Sequence, residues 1–298
     1  MKMIFIFVDG FGLGEDDPAK NPICASDAKN LEYIFKNFKV IPTETTLGVK
    51  GLPQSATGQT AIFTGVNAPG VLGRHMNGQP TVTLKEILNR NNLFKELQSK
   101  GYRVTNFNVY RTEYLEKMND PRERRYRPSA TSVMTMSAGI PFRMAEDYDS
   151  GNGIYHDITG RVLREYGYDI DLISPEEGAQ RLYKGSSEYD FTLFEHFMPD
   201  IIGHSMNMED AKAEILLLDK FLGELVRVAD LEDTIIFITS DHGNIEDISV
   251  KTHTFNRVPT ILISNMPCVN NIKIESLLDI TPAVLQLFEM CNAKTNRS

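Results

Sequence analysis

The clearest strand candidates in this chain are short, continuous apolar runs rather than alternating ones: residues 3–8, 103–109, 189–195, 234–239 and 259–263. A strand buried on one face alternates between apolar and polar side chains, whereas a strand covered on both faces does not, so these runs predict a parallel sheet with helices on either side. Amphipathic helices are expected between them at residues 58–65, 83–99, 175–183, 208–229 and 279–290, the last preceded by Asp279 and tolerating Pro282 in its first turn. Alternation of strands and helices points to a doubly wound α/β fold. One domain over residues 1–298 is the expectation, with 111–174, where periodicity fades, as a small cap or insertion near the strand ends.

Residues that favour metals recur where these runs stop. Asp9 follows Ile4-Phe5-Ile6-Phe7-Val8, and Asp241-His242-Gly243 follows the run that ends at Ser240. Asp200 and His204 are four apart and would share a helix face if that segment is helical, although a strand end followed by a turn fits nearly as well. His253 stands in Thr252-His253-Thr254-Phe255-Asn256. Carboxylate and imidazole together suit one or two divalent cations such as zinc or manganese. Two ionisable residues directly after a buried strand need a partner, because an unpaired buried carboxylate costs several kcal/mol, on the order of 3–5, and a cation supplies that partner. Gly243 is expected to let the backbone turn sharply there. Ser55 opens a small-residue helix, either as a plain N-cap or as a hydroxyl that a cation activates as a nucleophile. His75, His156 and His196 belong to no such motif, although His75 beside Arg74 could reach a substrate anion.

Composition narrows the function classes. The 298 residues carry a formal net charge of −9, which argues against a nucleic-acid partner. The basic knot Arg122, Arg124, Arg125 and Arg127 reads as a solvated loop. Cys24, Cys268 and Cys291 are too few and too dispersed for a disulfide framework, so a reducing, cytoplasmic compartment is expected. No apolar stretch approaches the ~20 residues that cross a bilayer. The first apolar run is too short for a secretion signal and ends on an Asp-Gly turn.

Taken in order, Asp9-Gly10, Ser55-Ala56-Thr57-Gly58-Gln59, Asp200-Ile201-Ile202-Gly203-His204, Asp241-His242-Gly243 and His253-Thr254-Phe255-Asn256-Arg257-Val258-Pro259 resemble the alkaline phosphatase superfamily. The nearest branch in motifs holds cofactor-independent phosphoglycerate mutase and phosphopentomutase. Gln59 stands where a His is usual in the phosphopentomutase turn, and the sequence is too short for the large inserted domain of the phosphoglycerate mutases. The resemblance implies an alkaline phosphatase-like core and two divalent metal ions per chain, zinc or manganese, with magnesium a further candidate. It implies one metal held by Asp200, His204 and His253 and another by Asp9, Asp241 and His242, with Ser55 approaching the latter as the nucleophile. The implied activity is phosphoryl transfer through a phosphoserine, most simply hydrolysis of small phosphate mono- or diesters. The alternatives are an intramolecular phosphomutase and a metal-binding protein without catalysis. His75 and Arg111 are candidate substrate contacts, with a small phosphorylated metabolite as the partner and neither nucleic acid nor membrane.

Overall fold

The computed structural model describes residues 1–292 except Asn119, Pro121, Arg124 and Arg125, so two members of the basic knot lie outside the described residues. Six strands, β1 (Lys2–Val8), β2 (Lys39–Thr43), β3 (Val104–Asn106), β4 (Phe191–His196), β5 (Thr234–Thr239) and β6 (Val258–Ile263), form one sheet in the order β2-β6-β5-β1-β4-β3. The four strands β5, β1, β4 and β3 run parallel, with Met3 opposite Phe191 on one side and Ile235 on the other. β6 is antiparallel to both β5 and β2.

β1 shows why its sequence does not alternate. Met3, Phe5 and Phe7 belong to one apolar cluster, with Ala61, Phe63, Phe94 and Phe288, while Ile4, Ile6 and Val8 belong to a second, with Ile34, Leu182, Ile215 and Phe221. Helices Ser55–Thr64, Leu93–Ser99 and Ile280–Asn292 thus cover one face, and Lys29–Asn37, Pro175–Ser186 and Met208–Val228 the other. The fold is the doubly wound, mostly parallel α/β layer structure expected from the runs.

Three details differ from the expectation. The expected helix 83–99 is two helices, Val82–Arg90 and Leu93–Ser99, because the Asn92 side chain accepts from the Lys95 amide and starts a new cap. β2 and the Lys29–Asn37 helix were not anticipated. Cys268 and Cys291 form a disulfide that ties a short 3-10 turn to the Ile280–Asn292 helix, so the three cysteines are not all free thiols as their spacing suggested. Two residues far apart in sequence can still meet in space, which spacing alone does not reveal. No helix among the described residues is long and apolar enough to cross a membrane.

Candidate metal centre

In an open parallel sheet the loops at the carboxyl ends of the strands converge on one crevice. Asp9 leaves the end of β1, Glu195 and His196 end β4, and Asp241-His242 follow β5. Ser55 begins its helix beside them. The helix N-cap is Gln54 rather than Ser55, and the Ser55 Oγ lies 3.0 Å from His242 Nε2 instead of bonding the helix backbone. Thr57, by contrast, donates its hydroxyl to the Gln54 carbonyl and accepts from the Met76 amide. Of the two readings of Ser55, the plain cap is therefore not the one present.

Asp200 and His204 do share a helical turn, in Met198–Gly203 with His204 at its C-cap. Asp200 Oδ2 is 3.5 Å from His204 Nε2, and Asp200 Oδ1 is 3.4 Å from His253 Nε2. His242 Nε2 lies 3.3 Å from Asp9 Oδ1 and 3.6 Å from Asp241 Oδ2. The donor atoms of Asp200, His204 and His253 fall within 4.8 Å of one another, and so do those of Asp9, Asp200 and His242. Asp200 is thus common to both groups, whereas the resemblance assigns it to one. Asp241 stands beside the second group, sharing the Gln59 amide with Asp9 at 3.3 Å to each carboxylate.

The imidazoles are set for metal ligation by what their other nitrogens do. His204 Nδ1 is 2.7 Å from the Lys251 carbonyl and His253 Nδ1 is 2.8 Å from the Pro53 carbonyl. A carbonyl only accepts, so each Nδ1 carries a proton, and each Nε2, the atom turned toward Asp200, is left as the one that can ligate a metal once it carries no proton. His242 makes a longer contact of the same kind, 3.4 Å to the Gly243 carbonyl, and its ring stacks on that of His253 at 3.7 Å.

Charge points the same way. Asp241 is fully buried, and its Oδ1 has no hydrogen-bond partner among the described residues. Burial, reinforced by the neighbouring Asp241 carboxylate, pushes Asp9 up to about 8. Burial also raises Asp241. Burial alone would lower His242, but the Asp241 and Asp9 carboxylates push it up to about 10. Burial would likewise raise Asp200, yet His253 and His242 hold it well below the usual carboxylate range. Without a cation, protons must neutralise this cluster. The donor set, the inward Nε2 atoms and the orphaned carboxylate oxygen fit divalent metal.

Several supporting residues were not singled out from sequence. Asn244 donates to the Asp200 backbone carbonyl and to its Oδ1 at 2.6 Å. Glu246 accepts from the amides of Gly12 and Asn244, from the Thr254 hydroxyl and from the Asn256 amide. The Thr and Asn after His253 are there to hold Glu246. Gly243 does not adopt a positive φ; it is small because Glu246 and Thr254 press on its Cα, which corrects the turn role expected for it. Glu195 accepts from Thr131 at 2.5 Å, and burial, opposed by that bond, pushes it up to about 7. For Asn244 and Glu246 a signal was available in Asn244-Ile245-Glu246, directly after Asp241-His242-Gly243.

A cavity of about 650 Å³ opens from this cluster and includes Asp9, Ser55, Gln59, Glu195 and Asp200 on its wall. The stretch 111–174, expected as a cap, supplies Arg111, Tyr114, Tyr155, His156 and Tyr166 to the same wall. His75 is not on it and instead reaches the Val49 carbonyl at 3.2 Å. His196 is bound to Glu214 at 2.7 Å, away from the cluster.

A family model described as the Metalloenzyme superfamily matches residues 1–292. The 2,3-bisphosphoglycerate-independent phosphoglycerate mutase of Clostridium acetobutylicum is 33% identical over 129 residues, 40% of this chain and 25% of that protein. The enzyme of the same name from Pyrococcus abyssi is 27% identical over 264 residues, 78% of this chain and 60% of that protein. The chain thus spans only a quarter to three-fifths of the length of these relatives. The solved PH0037 protein of Pyrococcus horikoshii superposes with a TM-score of 0.61 at 12% identity, covering 97% of this chain and 96% of that one, a likeness of fold.

Proposed function

Because the chain belongs to the Metalloenzyme superfamily and shares the alkaline phosphatase-like fold, we propose that it is a metal-dependent phosphoryl-transfer enzyme that works through a phosphorylated Ser55. The observation that carries this is the Ser55 hydroxyl, turned away from its helix and held 3.0 Å from His242 Nε2 at the end of the cavity. Asp200, His204 and His253 would hold one divalent ion, and Asp9, Asp241 and His242, with Asp200 close by, a second. When bound, such ions supply Lewis acidity that ionises a nearby hydroxyl and offsets phosphoryl charge.

The chain's own groups do the rest. The first-turn amides of Ser55 and Ala56 have no carbonyl partner among the described residues, and they point from a helix N-terminus where anions are favoured. Gln59 and Asn244 hold the Asp9, Asp241 and Asp200 carboxylates in place. A substrate phosphoryl group would pass to Ser55 Oγ as its ester oxygen leaves with a proton. The phosphoserine would then give the group to water, which makes the enzyme a hydrolase. The names of the relatives favour a second acceptor, a hydroxyl of the same substrate, which would make it a mutase.

The test is elemental analysis together with turnover of 4-nitrophenyl phosphate after loading with manganese or zinc. About two ions per chain and release of 4-nitrophenol are expected. A trace of metal only, or no turnover with any of zinc, manganese and magnesium, would sink the reading.

A further inference from the structure

The metal cluster accounts for one wall of the cavity, and the wall supplied by residues 107–174 has chemistry of its own. Two arginines lie on it. Arg161 is neutralised by Glu165 at 2.7 Å. Arg111 is half-buried, and among the described residues no carboxylate forms an ion pair with it. Its guanidinium instead lies 3.6 Å over the Tyr166 ring. Stacking of this kind fixes the plane of a guanidinium while leaving its edge N–H donors free for a planar or tetrahedral oxyanion.

Two further polar groups face the same place. Tyr155 lines the cavity, and its hydroxyl is close enough to Arg111 for the guanidinium to favour its ionised form, although burial dominates and raises it. His156 is stacked on Phe197 at 3.8 Å, which holds its ring rigidly on the wall. Its Nδ1 is buried without a partner, while its Nε2 makes no hydrogen bond and is not sealed off in the same way. Burial, helped by His196 and Arg111, keeps this imidazole neutral. A neutral ring beside a guanidinium can donate one N–H without adding a second charge.

We propose that Arg111, Tyr155 and His156 form a receptor for a second oxyanion of the substrate, a carboxylate or a second phosphoryl group, distinct from the phosphoryl group that meets Ser55. The proposal rests on the phosphoryl-transfer reading above. It makes the substrate a doubly anionic phosphate ester, matched to a cavity with a metal centre on one wall and, on the other, a guanidinium that has no ion pair among the described residues. A neutral distal group would leave Arg111 partly desolvated without an anionic partner in the cavity.

Isothermal titration calorimetry on manganese-loaded protein tests this with two matched pairs of probes: 3-phosphoglycerate against glycerol 3-phosphate, and fructose 1,6-bisphosphate against fructose 6-phosphate. In at least one pair the doubly anionic member is expected to bind ten or more times tighter, and in Arg111→Met that advantage should fall below twofold. The pair that responds identifies the second group as carboxylate or phosphoryl. No advantage in either pair, or an advantage that survives in Arg111→Met, overturns the proposal. If that variant does not fold, Tyr166→Leu, which removes the platform under the guanidinium, reads the same ratio. Failure of the broader enzyme reading would show separately, as absent 4-nitrophenyl phosphate turnover with the binding ratio still measurable.

Discussion

Ser55 and Thr57 occupy the same helical turn two residues apart, yet their hydroxyls have different surroundings. Thr57 Oγ1 is committed to the Gln54 carbonyl and the Met76 amide, while Ser55 Oγ meets His242. Ser55→Ala is therefore expected to leave the fold intact and to lower turnover on the order of 10⁴-fold or more, as removal of a nucleophile does. Thr57→Ala should retain turnover and lose about 1 kcal/mol of stability with its hydrogen bonds. Mass spectrometry of enzyme quenched during turnover should find the added phosphate on the peptide holding Ser55; phosphate on Thr57 alone would reverse the assignment. At this scale the types of the site residues were legible, because carboxylate, imidazole and hydroxyl side chains stand where apolar runs stop. Asp200's place in both groups was not legible, since it depends on how a helix after β4 is laid across the end of β1. Glu195 was missed because it reads as the last residue of an apolar run, and only the structure shows it buried against Thr131.

Among the elements, the helix that begins at Ser55 is pressed hardest on the site. A Cβ on Gly58 would lie 2.9 Å from Asp241 Cβ and 3.1 Å from its carbonyl oxygen. Helix propensity alone favours Ala over Gly by about 1 kcal/mol, but overpacking of a tight contact costs about 1–3 kcal/mol. The contact should win. Gly58→Ala is expected to lower the melting temperature and to weaken metal affinity roughly 10–100-fold, the range seen when groups behind metal ligands are disturbed; calorimetry and metal titration measure both. A rise in stability with unchanged affinity would mean that the helix backs away freely. The parallel strands were legible as continuous apolar runs because both of their faces are buried. β2 was not, because Lys39-Val40-Ile41-Pro42-Thr43 is a half-exposed edge strand in which proline is tolerated. The break at Asn91-Asn92 was hidden by apolar spacing that continues across it.

For the whole molecule, the buried cluster links stability to pH. Burial raises Asp9 from 3.8 to about 8 and Glu195 from 4.5 to about 7, and the carboxylates around His242 outweigh its burial and raise it from 6.5 to about 10. Each group binds its proton more tightly in the folded chain than in the unfolded one. The stability this contributes is complete below the unfolded values and is lost as pH rises through the folded ones. Metal-free protein should therefore lose melting temperature steadily between about pH 4 and 10, by several degrees, at roughly 2–4 °C per kcal/mol or less for a chain this large. Metal-loaded protein should lose much less, because the ions rather than protons then balance the carboxylates. Thermal melts with manganese and with chelator should diverge as pH rises, and parallel curves would show that the cluster holds no metal.

The position of β1 at the middle of the sheet also bears on how the chain reaches this state. Met3 pairs with Phe191 on one side and Ile235 on the other, so the strand carrying Asp9 has neither neighbour until most of the chain has been synthesised. Pairings of such long sequence separation are slow to form, because loop closure costs entropy before any contact repays it. Until then Ile4, Phe5, Ile6 and Phe7 are exposed to intermolecular association, a hazard for nascent chains at high expression. Asp9 and His253, which belong to the two neighbouring donor groups, can take their places only after these closures are complete, so ion uptake during refolding would time the last step of assembly rather than the first.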